Sequence, residues 1–298
     1  MGKLAHPGSI WLDLLGGARV QYHDAGGWLT RSIECGDGGP AVVLLHGTGG
    51  HAEAFCRNVL PLAGAGYRVY AIDMLGHGYT AKPAGSRYRL DDYVEHLVRF
   101  LDEVTDAAAY LVGESLGGWV AMRAALAQPG RVRAIANVVG GGLRPVPPTE
   151  QELAGWATLR DRGLAAISTP SWDTWQARMQ WLVADPACMT DELIAVRQRI
   201  YQQPEMQRSA AVIYDSVQQM LLGELPGALD SGEIGRVGVP VLYLWTDHNP
   251  TTPARVAAAA HELTKDSELV VFADSGHWPQ FEEPGRFNAL VADYLGRH

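Results

Sequence analysis

Leu111-Val112-Gly113-Glu114-Ser115-Leu116-Gly117-Gly118 runs from a strand-length apolar segment directly into a helix-length one, with glycines two positions before and after a serine. A turn this tight strains its central residue, and the flanking glycines let strand and helix approach without Cβ collisions. Ser115 is therefore expected to project its hydroxyl outward, with the free N–H groups of the following helix behind it. The strand-before, helix-after placement separates this pattern from a chance Gly-x-Ser-x-Gly in a chain holding 34 glycines.

Outward from that turn, short apolar runs alternate with helix-period segments. Strands are expected at Arg19–His23, Leu29–Glu34, Ala41–Leu45, Arg68–Ile72, Ala109–Val112, Val132–Val139, Val239–Trp245 and Glu268–Phe272. The last six are nearly continuous apolar runs, as a parallel sheet covered on both faces requires. Helices are expected near Asp92–Val104, Leu116–Gln128, Pro253–Leu263 and Pro284–Leu295, the last two opening with proline.

From about Leu143 to Asp230 the alternation stops and only amphipathic helical pieces remain. Thr149 with Glu152 makes a capping box, Trp172, Trp175, Met179 and Leu182 form one stripe, and Leu193, Val196 and Ile200 form another, both read as core. The expected organisation is one α/β core from residues 1–142 and 231–298, with a helical cap inserted at 143–230.

The 298 residues are 47% hydrophobic and 19% charged, enough for one large core. A net charge of −9 and the lack of basic runs argue against nucleic acid or anionic lipid as partner. Met1–Ile10 is polar and no apolar stretch reaches about 18 residues, so neither a signal peptide nor a membrane span is expected. Gly2 does not make a myristoylation signal, because His6 stands where Ser or Thr is needed. Cys35, Cys56 and Cys188 are odd in number and scattered, which points to a reducing cytoplasm.

A serine hydroxyl needs a base, and His277, between the final strand and the last helix, is the choice among ten histidines. His46 looks structural, and His6, His261 and His298 are poorly placed. The turn Leu45-His46-Gly47-Thr48-Gly49-Gly50 offers backbone amides after a buried strand. Thr48 and Leu116 N–H are assigned as oxyanion donors, with Gly47 and Gly49 shaping the turn. No metal-ligand spacing or phosphate loop is present, and no cofactor is expected.

The elbow, the His46-Gly47 loop, Asp73-Met74-Leu75-Gly76-His77-Gly78, the helical insertion and Gly276-His277-Trp278 together resemble the α/β-hydrolase superfamily across nearly the whole chain. Within it, the chain most resembles the hydrolases that cleave carbon–carbon bonds in meta-cleavage products of aromatic rings. The resemblance puts the triad acid four residues after Trp245, where this sequence has Asn249. Three readings stay open. Asp247 takes over the bond to His277, Asn249 holds the ring without a charge, or the triad is weakened; one of the two residues is expected to contact His277. Asp73 precedes Ser115 and is read as bracing its loop through Gly78.

Arg197 falls on the inward stripe with Leu193 and Ile200, whereas Arg199 points away. An arginine there needs an anion, from a ligand or from an internal ion pair. The resemblance of Met189–Arg197 to the family's cap segment implies that Arg197 receives a substrate carboxylate, and that Trp278 packs by a dienoate. Glu114 departs from the asparagine many relatives carry there as a substrate contact.

The implied activity is hydrolysis of a vinylogous 1,5-diketone of the 2-hydroxy-6-oxo-hexa-2,4-dienoate type, a small molecule carrying a carboxylate. An ester or lactone hydrolase with the same triad is the alternative, and a hydrolase-like protein without turnover is another, for which Asn249 is the sign. Oligomeric state stays open, a homo-oligomer included.

Overall fold

The computed structural model describes residues 9–298, so the readings made at Gly2 and His6 lie outside the described residues. Ten strands occur in chain order: β1 Arg19–Asp24, β2 Leu29–Cys35, β3 Ala41–Leu45, β4 Arg68–Ile72, β5 Ala109–Glu114, β6 Val132–Val138, β7 Leu143–Arg144, β8 Leu229–Asp230, β9 Val241–Thr246 and β10 Ser267–Phe272. Eight of them form one sheet in the order β1-β2-β4-β3-β5-β6-β9-β10. Pairing is antiparallel between β1 and β2 and between β2 and β4, and parallel everywhere else in the sheet.

Burial follows the apolar runs at the centre of the sheet. Every residue of β3, β5 and β9 is buried, because helices cover both faces there. Covered faces were also expected for the last strand, but β10 is mostly half-buried: it ends the sheet and has a neighbour on one side only. The strand β1 is the other edge and is mostly exposed.

The interval expected to hold only helices does hold four, Glu150–Ser168, Trp172–Gln180, Asp191–Tyr201 and Pro204–Leu222. The Thr149/Glu152 capping box forms as read. At the borders, however, β7 pairs in parallel with β8, so two short strands clamp the ends of the insertion together. Two residues carry no period, which is why no strand was expected there.

The inserted helices sit on loops that leave the sheet at its carboxyl end. Tyr201 Oη donates to Gly49 O at 3.0 Å, Ser209 Oγ donates to Gly76 O at 2.7 Å, and His277 N–H donates to Leu182 O at 2.5 Å. His277, Ser115 and Asn249 follow β10, β5 and β9 on that same edge.

The β5-to-helix turn depends on close backbone contact. A Cβ on Gly113 would meet the Gly117 backbone, and one on Gly117 would meet the Leu45 carbonyl. Gly117→Ala is expected to lower stability by about 1–3 kcal/mol through overpacking, read as a fall in the urea midpoint at unchanged slope.

Candidate active site

Ser115 sits between β5 and the helix Leu116–Ala127 with φ +53° and ψ −113°. The strain is held in place by a satisfied backbone: Ser115 N–H donates to Val138 O at 2.9 Å, and Ser115 O accepts from Gly141 N at 2.9 Å and Trp119 N at 3.1 Å. The loop after β3 approaches from the other side. A Cβ on Gly47 would lie 2.5 Å from Glu114 Oε2 and 2.9 Å from Ser115 Cβ, so only glycine fits beside Ser115. Gly49 adopts φ +70° and lies against the Tyr201 and Tyr214 hydroxyls. Thr48 and Leu116 border one cavity together with Ser115.

Across that cavity the imidazole of His277 is held by Asn249, whose Oδ1 lies 2.9 Å from Nδ1. The proton on this bond can be assigned from its surroundings. Thr251 N–H and Oγ1 both donate to Asn249 Oδ1 at 3.0 Å, and a backbone N–H can only donate, so the amide oxygen faces this cluster. The same oxygen can only accept, so His277 Nδ1 carries the proton and Nε2 is free to take one. Asp247 does not share the role. Its side chain is exposed and makes no bond to His277.

His277 Nε2 faces a group that the sequence did not place there. Glu114 Oε1 lies 3.1 Å from it, both side chains being almost fully buried. Glu114 Oε1 has no hydrogen-bond partner, so the contact lies off the ring N–H axis and becomes an ion pair when the ring takes a second proton.

The cavity has two lobes that meet at Thr48, Ser115 and Leu159. One is walled by Trp119, Trp156, Val217 and Leu221. The other holds Gly47, Glu114, Arg178, Arg197, His277 and Trp278. Arg197 and Arg178 are each 1% exposed, and Nε and Nη2 of the first and Nε and Nη1 of the second have no hydrogen-bond partner. Burial lowers the Arg197 pKa from its ordinary value, Tyr201 and Tyr214 oppose that shift, and Arg178 adds to it. Arg197 stands 5.8 Å from the centre of the Trp278 ring. Arg178 was missed in the sequence, yet it lies three residues after Trp175 on the same inward stripe, the criterion that singled out Arg197.

Residues 40–284 match the family model described as the alpha/beta hydrolase fold. The chain belongs to the α/β-hydrolase family. It is 30% identical over 275 residues to the 2-hydroxy-6-oxo-2,4-heptadienoate hydrolase of Pseudomonas putida strain F1, covering 91% of this chain and 94% of that one. It is 28% identical to the 2-hydroxymuconate semialdehyde hydrolase of Pseudomonas sp. strain CF600, covering 94% and 91% of the two chains. Among solved structures, the meta-cleavage product hydrolase of Pseudomonas fluorescens IP01 complexed with acetates superposes with a TM-score of 0.79 at 28% identity, covering 93% of this chain and 97% of that one. The protein is thus a hydrolase that resembles the meta-cleavage product hydrolases.

The remaining residues of the hydrolase's site act as supports. Asp73 Oδ1 accepts from Ala52 N at 2.7 Å, and its Oδ2 accepts from Tyr79 N at 2.8 Å and from Arg31 Nη1 at 3.1 Å. A Cβ on Gly78 would strike that carboxylate, so Asp73 braces its own loop as read. His46 accepts from Met74 N at 3.0 Å and donates to Gly47 O at 2.8 Å, which fixes the glycine turn. Burial pushes His46 down to about 4, so it is neutral in that role. Among the described residues no cluster of His, Cys, Asp or Glu could hold a metal, and no helix is long and apolar enough to cross a membrane.

Glu282 gave no signal in the sequence. Its carboxylate accepts from Gly276 N at 2.9 Å, Trp278 N at 3.1 Å and Ala184 N at 2.7 Å, so it ties the His277 loop to the inserted helices. Burial raises its pKa against the effect of those bonds. In Glu282→Gln an amide NH2 faces backbone donors, and a loss of about 1–3 kcal/mol is expected, measured by urea unfolding.

Proposed function

We propose that this protein is a serine hydrolase that cleaves a carbon–carbon bond in a 2-hydroxy-6-oxo-hexa-2,4-dienoate-type meta-cleavage product, with residues 143–230 as the cap over the site. The observation that carries the reading is the pair of buried guanidiniums, Arg178 and Arg197, in the same lobe as His277 and Trp278. Neither makes a hydrogen bond to a described carboxylate, and Glu114 in the same lobe supplies one negative charge against their two positive ones, so the lobe calls for a further anion from outside the chain. A carboxylate-bearing substrate supplies it. The apolar lobe beyond Ser115 then receives the substituent at the far end of the substrate. Relatives that share more than nine-tenths of the chain are named as hydrolases of such compounds.

In this reading the carboxylate end binds at Arg197 and Arg178, and the C6 ketone lies at Ser115 with its oxygen toward the Thr48 and Leu116 amides. His277, with its proton on Nδ1 held by Asn249, offers Nε2 as the base. It assists conversion of the dienol to the ketone. Ser115 Oγ then adds to C6 as its proton passes to Nε2, the C5–C6 bond breaks with its electron pair passing through the enone onto O2, which takes that proton, and water hydrolyses the ester left on Ser115. The products are a carboxylic acid and a 2-hydroxydienoate.

The test is optical: the visible absorbance of 2-hydroxy-6-oxo-6-phenylhexa-2,4-dienoate is followed with the parent protein and with Ser115→Ala. Loss in the parent and none in the variant is expected. A silent parent that hydrolyses p-nitrophenyl esters would move the assignment to esters. Arg197→Gln and Arg178→Gln are each expected to raise KM for the dienoate roughly tenfold or more, the scale of one lost charge-assisted hydrogen bond. An unchanged KM in both would remove the carboxylate from that lobe.

A further inference from the structure

The residue that orients His277 carries no charge. Asn249 fixes the proton on Nδ1, but an amide cannot balance the imidazolium formed when Nε2 takes a proton. The carboxylate in contact with this ring is on the opposite side, where Glu114 Oε1 stands 3.1 Å from Nε2. From this arrangement we infer that Glu114 is a catalytic residue: it supplies the negative charge that stabilises the His277 imidazolium, a task that a triad acid performs at the other ring nitrogen.

Three features of the site favour this role. The Glu114 oxygen lies off the ring N–H axis and has no hydrogen-bond partner, so Nε2 remains directed at the cavity while its charge is compensated from the side. Gly47 leaves room for the carboxylate, since any Cβ there would lie within 2.8 Å of both Glu114 oxygens. At position 249 the surroundings are those of a carboxylate without its charge. Thr251 N–H, Thr251 Oγ1 and His277 Nδ1 all bond to the single oxygen Oδ1, while the Asn249 NH2 is buried and has no acceptor. A carboxylate can therefore be placed at 249 by substitution, and the charge can be moved from one side of the ring to the other.

The step balances within the chain and substrate. The Ser115 Oγ–H proton moves to His277 Nε2 as the Oγ–C6 bond forms and the carbonyl electron pair moves onto O6. The imidazolium is neutralised through space by Glu114, which gains and loses no proton. When C5–C6 breaks, the O6 pair re-forms the carbonyl, the C5–C6 pair passes through the enone onto O2, and O2 takes the Nε2 proton.

This inference rests on the serine-hydrolase reading but not on the choice of substrate, and the experiment separates the two. The full-length parent, Glu114→Gln, Asn249→Asp and the double variant are compared in two assays, turnover of 2-hydroxy-6-oxo-6-phenylhexa-2,4-dienoate and labelling of Ser115 by a fluorophosphonate. Glu114→Gln is expected to lower both kcat and the labelling rate by about 100-fold, within the range of general acid–base contributions. Its KM should be unchanged or lower, because the carboxylate removed repels an anionic substrate. The double variant should regain at least tenfold of the loss. A side chain that only fills space would leave isosteric Glu114→Gln within threefold of the parent in labelling, and that result overturns the inference. So does a double variant no faster than Glu114→Gln. If the parent is labelled but does not consume the dienoate, the substrate reading fails and the labelling rates alone decide the role of Glu114. Should Glu114→Gln not fold, Glu114→Asn, alone and with Asn249→Asp, carries the same comparison.

Discussion

The turn at Ser115 constrains the structure around it. A serine held at φ +53° costs about 1–3 kcal/mol, and that cost is met by contacts that reach four parts of the fold. Its N–H is taken by β6, its carbonyl by Gly141 and by the helix that follows, and its flanking glycines press against each other and against the end of β3. The same packing brings the Gly47 loop against the serine. The Thr48 and Leu116 amides proposed as oxyanion donors are thus set by backbone placement and do not depend on side-chain rotamers.

Charge is distributed around this turn in an unusual way. Two fully buried guanidiniums and one buried carboxylate share a lobe of the cavity with an imidazole whose fixed partner is neutral. Buried ions are costly unless paired, so such a set is stable only with an external anion or with function as its reason. The lobe beside it is walled by tryptophan and aliphatic side chains. The two lobes therefore differ in charge and polarity, and Ser115 lies where they meet.

Much of this was legible in the linear chain, for a physical reason. Strands β3 and β4 fall on the expected residues because central strands buried on both faces must be apolar throughout. Ser115 and Arg197 were found from local geometry, a strand–turn–helix signature and a helical stripe. Arg178 obeyed the same stripe rule and could have been found by it. The edge position of β10 and the two-residue pair of β7 with β8 were not legible, since neighbours in a sheet are chosen by packing and two residues have no period.

The sequence by itself determined the α/β alternation, the sharp turn at Ser115, the inserted helices and the inward face of Arg197, because these depend on residues within a few positions of one another. Only the tertiary structure decided that Asn249 and not Asp247 holds His277, that Glu114 faces the other nitrogen of that ring, and that Glu282 ties the loop to the inserted helices. Asp247 and Asn249 lie on one loop two residues apart, and only folding places one of them against His277. The contact of Glu114 with His277 joins residues far apart in the chain, and its direction follows from the packing of the whole sheet edge.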